Sequence, residues 1–399
     1  MTRGGRRGLP LVQRRRGSIR SMRTPVGRPS LSKATTMIHE AAIHEAAQRF
    51  FEAAIRTPSP SGYEERLQAL VREYITPHAA GVRTDVHGNV VATAGDERGP
   101  RLMYAGHCDQ IGMLVSHIDE AGFVYAQTIG GWDPQQLIGQ AMTIWTDSGP
   151  VAAAISRKPI HLLNESERKE VVQLSQLWLD IGAESQEEAQ QTVRIGDCVT
   201  LALEYRPLLG RHVCGPGMDN KTGMWTVIEA LRRAAAAEGQ LACHLHSVST
   251  VQEEIGLRGA KTAAGSIHPA VAIAVDVTHA SDCPTIEKQQ QGDIRLGRGP
   301  VIFRGPNMNP HVVRRLIALA EEHDIPFQLA AVGRATPNDA NPLQVHGGGV
   351  ATGLVAIPNR YMHSAVETIS LDDINHAAEL LAWFARRLQP EDDFTPRLV

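Results

Sequence analysis

The sequence has few cysteines and no long apolar run, and each shortage excludes a class of protein. The five cysteines of the 399-residue chain are scattered and never form a CxxC pair. This spacing excludes a disulfide framework and a zinc site built from thiolates, and it is typical of a reduced, intracellular protein. No stretch approaches the roughly 18 uninterrupted apolar residues of a membrane span. We therefore predict a cytoplasmic protein without a membrane partner.

Charge is distributed unevenly along a chain of otherwise ordinary composition. The sequence is 42% hydrophobic and 21% charged, with enough length for one large domain or two moderate ones. Residues 1–39 contain nine arginines and one lysine but no acidic residue, whereas the whole chain has a formal charge of -3. The rest of the protein is therefore clearly acidic, which gives no reason to expect a nucleic-acid partner.

The basic segment at residues 1–37 shows no apolar periodicity, and we predict that it is disordered. It lacks the continuous apolar region of a secretory signal. Three interpretations stay open: a start assigned too early, with Met22 or Met37 as the true first residue; a solvated tail; or an organelle transit peptide. The first two are favoured, because an arginine-rich segment without acidic residues is only a weak targeting signal.

Alternating strand and helix patterns predict an α/β fold with a mainly parallel sheet covered by helices. Helical periodicity is present at 38–54, 63–75, 220–237, 311–323 and 372–388. Strand-like apolar runs are present at 101–109, 243–251, 270–277 and 353–357. We assign residues 38–112 and 207–390 to this domain, and 391–399 to a C-terminal tail.

Residues 113–206 have a different pattern, with short strand-like pieces that contain glycines. Examples are GFVYAQTIGGW, AMTIWT and DCVTLALEY, and a stretch that reads as helical, ESERKEVVQLSQL, interrupts them. This pattern predicts a small, β-rich domain inserted into the larger one.

Potential metal ligands lie at or near the ends of several predicted elements. They are His107, Asp109, Asp219, Glu253, Glu254, Asp276 and His363. Because sites in open α/β sheets form outside the carboxyl ends of the strands, these side chains can converge there. Two imidazoles with several carboxylates suit two divalent cations such as Zn²⁺, Co²⁺ or Mn²⁺. In an extended segment His107 and Asp109 point to the same side, so Asp109 can orient the imidazole.

Each of these residues also has an ordinary structural explanation. The chain has 17 histidines, and a single histidine is more often a surface or core residue than a ligand. Asp219 can cap the helix that follows it, and Asp276 can simply end a strand. Paired glutamates are usually solvated, but Glu253 and Glu254 follow an apolar strand, which weakens that explanation. From spacing alone, a shared metal site and separate structural roles are about equally supported.

Five motifs in a fixed order carry a specific resemblance. They are GHCDQIG, GPGMDNKTG, VQEEIGLRGA, AVDVTHASDCP and YMHSAVETISLDD. Together they resemble the M42 family of metallo-aminopeptidases, which includes glutamyl aminopeptidases and the tetrahedral TET peptidases. The likeness runs from about residue 57 to the final helix. It implies a zinc-peptidase-like catalytic domain, with residues 113–206 as an inserted domain through which subunits form dimers.

The resemblance also implies a ligand set and a cofactor. His107 and Asp276 would hold one metal ion, Glu254 and His363 the other, and Asp219 would bridge both. The cofactor would be two divalent ions per subunit, with Zn²⁺ expected first and Co²⁺ or Mn²⁺ as alternatives. The partners would be peptides with a free N-terminus and further copies of the chain, from a dimer to a tetrahedral dodecamer.

The remaining implied roles are catalytic. Glu253 would be the general acid/base of an aminopeptidase that releases single N-terminal residues, and Asp109 would support His107. A cis peptide bond is implied between Asp219 and Asn220.

The sequence departs from the family pattern at two places. Gln110 replaces a common glutamate, and GRATPNDAN (333–341) replaces a GGTDA-like run. The second change puts the specificity in doubt, and Arg334 and Arg360 are candidates for recognising an acidic N-terminal residue.

Two alternative functions are an endoglucanase-type glycoside hydrolase and a non-catalytic assembly protein with a relict metal site. A glycosidase would not need the His/Asp/Glu set. A relict site would have little use for Glu253.

Overall fold

The structure is a computed structural model that describes Met1, His39 and residues 43–396. The predicted tail at 1–37 therefore lies, except for Met1, outside the described residues. Among the residues described, no helix is long and apolar enough to cross a membrane.

The helices are, in chain order, α1 (Glu45–Arg56), α2 (Glu65–Ile75), α3 (Gln186–Thr192), α4 (Met218–Ala236), α5 (Arg258–Ile267), α6 (Lys288–Gln291), α7 (Pro310–Glu322), α8 (Ala340–Gln344) and α9 (Leu371–Arg387). The strands are β1 (Gly81–Thr84), β2 (Val90–Gly95), β3 (Arg101–His107), β4 (Gly112–Ile118), β5 (Val124–Ile129), β6 (Gln140–Thr146), β7 (Gly149–Ser156), β8 (Trp178–Asp180), β9 (Cys198–Leu201), β10 (Arg206–Pro207), β11 (His212–Cys214), β12 (His244–Thr250), β13 (Val271–His279), β14 (Val301–Arg304), β15 (Gln328–Ala331), β16 (Ala351–Asn359) and β17 (Thr368–Ser370).

The main sheet has eight strands in the order β1-β2-β12-β3-β13-β16-β14-β15. The four strands β12, β3, β13 and β16 at its centre are parallel, and β2 and β14 run antiparallel to their neighbours in this group. Every residue of β13 from Val271 to Val277 is buried, so helices cover both faces of the sheet. The predicted α/β class, with a mainly parallel sheet covered by helices, is confirmed.

Helix α4 packs closely on the sheet and fixes one side of the candidate site. It contacts β3, β12 and β13, and helices α1 and α9 lie against it. Gly106 of β3 permits the close approach, since a Cβ there would lie 2.5 Å from the backbone of Gly223 in α4. The first turn of α4, which contains Asp219, is therefore held beside the end of β3.

A closed barrel of six strands, in the order β4-β5-β8-β7-β6-β9, interrupts the main domain. Its strand pairs are antiparallel, and it has a separate apolar core that includes Met113, Ile144 and Leu179. The β-rich part of the predicted fold is thus observed. Because the barrel strands run from Gly112 to Leu201, we propose that residues 113–206 form the inserted unit.

One predicted helix is wrong. The stretch ESERKEVVQLSQL contains no α-helix and has only a single 3₁₀ turn at Leu174–Gln176. Upstream, the Asn164 side chain accepts hydrogen bonds from the Ser166 hydroxyl and the Glu167 backbone N–H, which stabilises a turn instead. Val172 and Leu177 are buried in the barrel core, so their packing decides the local conformation.

Candidate metal centre

The candidate ligands come together at one edge of the main sheet. His107 ends β3, Asp276 lies in β13, and Glu253 and Glu254 follow β12. These three strands are parallel neighbours, so their carboxyl ends lie side by side. Asp219 joins them from the first turn of α4.

The first group of possible ligands consists of His107, Glu253 and Asp276, whose ligand atoms all lie within 4.8 Å of one another. His107 Nε2 is 3.6 Å from Asp276 Oδ1 and 3.8 Å from Glu253 Oε2. The His107 side chain is 2% exposed, so this group is almost closed to solvent.

The second group consists of Asp219, Glu254 and His363, again with ligand atoms within 4.8 Å of one another. His363 lies in the loop between β16 and β17. Its Nε2 atom is 3.3 Å from Asp219 Oδ2 and 3.4 Å from Glu254 Oε1. The other oxygen of Asp219, Oδ1, is 3.3 Å from His107 Nε2. Asp219 therefore lies between the two groups, with one oxygen directed at each histidine.

Burial and crowded carboxylates perturb the acid groups of the centre. Burial is the main cause that raises the pKa of Glu253 to about 10; the nearby carboxylates of Asp276, Asp339 and Glu254 act in the same direction, and His107 acts against it. Burial likewise raises the pKa of Glu254 to about 7. Such a concentration of buried carboxylates calls for positive charge.

The histidines supply only part of that charge. Burial alone would lower the pKa of His363, but the adjacent carboxylates of Asp219 and Glu254 raise it to about 11. Glu254 Oε1 is buried and forms no well-aligned hydrogen bond despite its 3.4 Å distance from His363. Two histidines among several carboxylates, with an unsatisfied carboxylate oxygen aimed inward, are the donor set that divalent cations prefer, so the residues fit a metal centre.

Asp109 holds the turn that carries the two glutamates. Its Oδ1 accepts the backbone N–H of Glu253 at 3.0 Å, and its Oδ2 accepts the backbone N–H of Glu254 at 3.1 Å. The Ser61 hydroxyl donates to Oδ2 at 2.7 Å. His107 Nδ1 is 3.1 Å from the backbone carbonyl of Asp109 and 3.4 Å from its carboxylate. Asp109 therefore contacts His107, but its shorter side-chain bonds fix the Glu253–Glu254 backbone.

The peptide bond between Asp219 and Asn220 is cis, as the family resemblance implies. Asn220 then turns its side chain inward, where the amide donates to the Val275 carbonyl of β13 and its oxygen accepts the Gly223 N–H. These bonds tie the start of α4 to the sheet.

Three contacts at the centre were not expected from the sequence. The backbone carbonyl of Gly131, in the loop after β5, is 2.8 Å from His363 Nδ1. Buried Asp339 accepts a hydrogen bond from the Thr250 hydroxyl at 2.8 Å. Glu367 bonds the backbone amides of Asp219 and His363. Their partners lie far away in sequence or on the main chain, so no local pattern could have revealed them.

Gln110 contacts a buried lysine. Lys221 Nζ donates to Gln110 Oε1 at 2.5 Å and to the Thr57 carbonyl at 2.7 Å. Burial lowers the pKa of Lys221 to about 7. A neutral amide oxygen thus accepts a hydrogen bond from this buried amine.

A cavity of about 380 Å³ opens beside the centre. Both ligand groups line one end, and the remaining wall is largely apolar, including Val277, Phe303, Leu354 and Met362. Arg334 also lines the cavity. Arg360 is not among the described lining residues, because its guanidinium makes two 2.7 Å hydrogen bonds to Asp282. Of the two arginines considered for substrate recognition, only Arg334 is in a position to contact a ligand there.

Comparison with known proteins assigns this arrangement to a family. Residues 88–380 match the family described as M42 glutamyl aminopeptidase. The chain belongs to this M42 family. It is therefore an enzyme of the hydrolase class, an aminopeptidase, and the family implies divalent metal ions for which the two ligand groups are the candidate sites.

Individual relatives cover nearly the whole folded chain. A lysyl aminopeptidase of Pyrococcus furiosus is 35% identical over 347 residues, which cover 86% of this chain and 97% of the relative. The crystal structure of a TET aminopeptidase from a Thaumarchaeota archaeon has a TM-score of 0.82 at 32% identity and covers 86% of this chain and 97% of its own. The TET1 peptidase of Pyrococcus horikoshii has a TM-score of 0.76 at 30% identity, and the match covers 86% of this chain and 100% of its own. That peptidase can assemble into a tetrahedron or a large octahedral shell.

One more distant structure has a different name. A Thermotoga maritima protein named as an endoglucanase has a TM-score of 0.68 at 26% identity and covers 84% of this M42 chain and 96% of its own. Its name keeps a glycosidase activity as an alternative to be tested.

Proposed function

We propose that this M42 protein is a dinuclear metal-dependent aminopeptidase that releases N-terminal residues from peptides. The observation that carries the proposal is the position of Asp219 between the two ligand groups, with one oxygen 3.3 Å from each histidine. A carboxylate in this position can bridge two cations. Zn²⁺ is the expected ion, with Co²⁺ or Mn²⁺ as alternatives.

The ligand roles match the two groups of side chains except at Glu253, which the family resemblance implies is the general acid/base. His107 and Asp276 would hold one ion, Glu254 and His363 would hold the other, and Asp219 would contact both. Glu253 lies near His107 but acts as the general acid/base and not as a metal ligand. Asp109, through its bonds to the backbone of both glutamates, keeps the two side chains in different directions.

The chain's own residues perform the proton transfers. Two bound divalent cations would supply the charge that polarises a scissile carbonyl and acidifies a water. The charge of two bound cations would lower the raised pKa of Glu253, so that its carboxylate can accept the proton of the attacking water and later deliver it to the leaving amine. The carboxylates at this end of the cavity attract the free α-ammonium group of a peptide, which favours removal of single N-terminal residues over internal cleavage.

The assembly belongs to the same proposal. We propose that the chain is a homo-oligomer in which residues 113–206 form dimers, and that dimers can build a tetrahedral dodecamer. The support is the likeness to TET peptidases, one of which assembles into closed shells. Measurement of the solution mass at high and low metal concentration tests it, and a stable, active monomer would contradict it. The cytoplasmic location stays a prediction from the cysteine pattern.

The function is tested by a substrate panel on chelator-treated enzyme. Aminoacyl-anilides and short peptides are assayed with Zn²⁺, Co²⁺ or Mn²⁺ added back, beside a cellulose-type substrate under the same conditions. Metal-dependent hydrolysis of the anilides alone supports the proposal. Hydrolysis of the polysaccharide that persists in chelator would instead support the endoglucanase alternative.

A further inference from the structure

Glu367 joins two of the proposed metal ligands through their main chains. It is 1% exposed and immediately precedes β17. Its Oε2 accepts the backbone N–H of Asp219 at 2.9 Å, and its Oε1 accepts the backbone N–H of His363 at 2.8 Å. A single buried carboxylate thus contacts two segments that are 144 residues apart in the sequence.

Both segments lack regular secondary structure where Glu367 holds them. His363 has a φ of 60°, a left-handed conformation that non-glycine residues rarely adopt. Asp219 has φ -77° and ψ 106°, outside the helical region, although it lies in the first turn of α4. Their amides therefore need an acceptor other than a helix or strand, and Glu367 provides it.

The two residues that share Glu367 also meet through their side chains. His363 Nε2 is 3.3 Å from Asp219 Oδ2, and both belong to the second ligand group. The two oxygens of one carboxylate have a fixed spacing, so the two amides are held at a fixed spacing as well. The distance between the imidazole and the carboxylate that would share a cation depends on it.

The strand pairing beneath the site reinforces this connection. Strand β17 pairs with β11, which leads into α4, and Gly215 donates its N–H to the backbone carbonyl of Glu367 at 2.9 Å. Glu367 thus has its main chain anchored on the α4 side, while its side chain reaches both ligands. The carboxylate is held in place from two directions.

The same arrangement occurs on the other side of the centre. Asp109 accepts the backbone amides of Glu253 and Glu254, as Glu367 accepts those of Asp219 and His363. On each side of the centre, one buried carboxylate therefore accepts the backbone amides of two site residues.

A carboxylate bridging two amides can also serve the fold alone. Asp373, in the first turn of α9, is buried and accepts the N–H groups of Gly297 and Gly299 at 2.8 and 2.7 Å. Neither glycine belongs to a ligand group or lines the cavity. Asp373 is therefore a matched control, because its buried carboxylate also accepts two backbone amides but contacts no proposed ligand.

We propose that Glu367 is a positioning residue that sets the spacing of Asp219 and His363, and thereby the affinity of the Asp219–Glu254–His363 group for a divalent cation. The inference rests on the proposed function, because it takes Asp219 and His363 as ligands. Outer residues that orient metal ligands typically contribute about 10–100-fold to metal affinity.

The test compares Glu367→Gln with Asp373→Asn. A glutamine has one acceptor oxygen and an NH₂ group, so it can accept only one of the two amides and presents a donor to the other. Chelator-treated wild type and variants are titrated with Co²⁺, and heat of binding and visible absorption report the affinity and the geometry of each site. We expect Glu367→Gln to remain folded by circular dichroism but to bind one of the two ions about 10–100-fold less tightly, with altered absorption. Asp373→Asn should bind both ions as the wild type does.

Wild-type affinity and absorption in Glu367→Gln would overturn the proposal, and so would an equal loss in Asp373→Asn. If Glu367→Gln does not fold, Glu367→Asp takes its place, because it retains both oxygens on a shorter side chain. Glu367→Asp should also bind one of the two ions more weakly than the wild type, and wild-type affinity in this variant would overturn the proposal too. The proposed function fails separately, if the wild type binds no Co²⁺ or if Asp219→Asn binds two ions as tightly as the wild type.

Discussion

The carboxylate of Asp219 lies 3.3 Å from the Nε2 atom of His107, so the first turn of α4 meets the end of β3 at the candidate centre. The second oxygen of Asp219 is equally close to His363. This contact makes one centre out of two ligand groups that come from distant parts of the chain.

The two adjacent glutamates should respond differently to the same substitution. Glu253→Gln should retain both metal ions but lose activity by about 10²–10⁴-fold, because it removes the proton acceptor and leaves the ligands in place. Glu254→Gln should lose activity and also bind less metal. The metal content of both purified variants distinguishes the two roles. Equal metal loss in the two variants would contradict the assignment of Glu253 as acid/base and Glu254 as ligand.

Replacement of Asp109 should act through the glutamate backbone. Asp109→Asn has a single acceptor oxygen and cannot accept both the Glu253 and Glu254 amides, so metal affinity should fall about 10–100-fold. Ser61→Ala removes only the hydroxyl bond to Asp109 and should cost about 1 kcal/mol of stability with little effect on metal affinity. Calorimetric metal titration and thermal unfolding measure the two effects. An Asp109→Asn protein with wild-type metal affinity would be incompatible with this role.

Close packing between β3 and α4 should be intolerant of a methyl group. Gly106→Ala would place a Cβ 2.5 Å from the Gly223 backbone, and we expect a loss of about 1–3 kcal/mol or more in the free energy of unfolding. Because Asp219 and His107 lie at the ends of these two elements, activity should fall as well. Gly348→Ala, with no atom within 4 Å of the added Cβ, is the control. Chemical denaturation compares them, and equal stability of the two variants would refute the packing argument.

The buried His246 should make stability depend on pH. Burial, together with the nearby His244, Arg83 and Arg101, lowers its pKa from 6.5 to about 3, and neither ring nitrogen has a hydrogen-bond partner among the described residues. The unfolded chain therefore binds a proton below about pH 6.5 that the folded chain does not. The stabilising effect of a neutral His246 is complete above pH 6.5 and is lost progressively as the pH falls.

The size of this effect follows from linkage. Between pH 7 and pH 5 the wild type should lose about 2 kcal/mol more of its free energy of unfolding than His246→Leu. His161→Gln, at an exposed position, should keep the wild-type slope. Urea unfolding at a series of pH values provides the measurement, and parallel curves for the wild type and His246→Leu would show that His246 is not the source.

The main sheet and the ligands it carries could be predicted because their signals are local. His107, the Glu253–Glu254 pair and Asp276 each follow an apolar run, and parallel strands bring such ends to the same edge. The helix expected over ESERKEVVQLSQL failed because Val172 and Leu177 pack in the barrel core, a tertiary effect that periodicity does not contain.

Other features of the site depend on partners that the sequence separates. Glu367 accepts hydrogen bonds from the backbone amides of Asp219 and His363. Because backbone amides are the same for nearly all residue types, the sequence does not reveal these contacts. Arg334 and Arg360 looked equivalent in sequence, but only the structure shows that Asp282 engages Arg360.

The most direct test of the proposed dinuclear centre is a metal titration of chelator-treated enzyme, in which hydrolysis of an aminoacyl-anilide is measured after each addition. A dinuclear aminopeptidase should show no hydrolysis without metal and a rise in activity that reaches its maximum at two Zn²⁺ ions bound per subunit. Full activity in excess chelator, or a maximum at one bound ion with no second site, would contradict it.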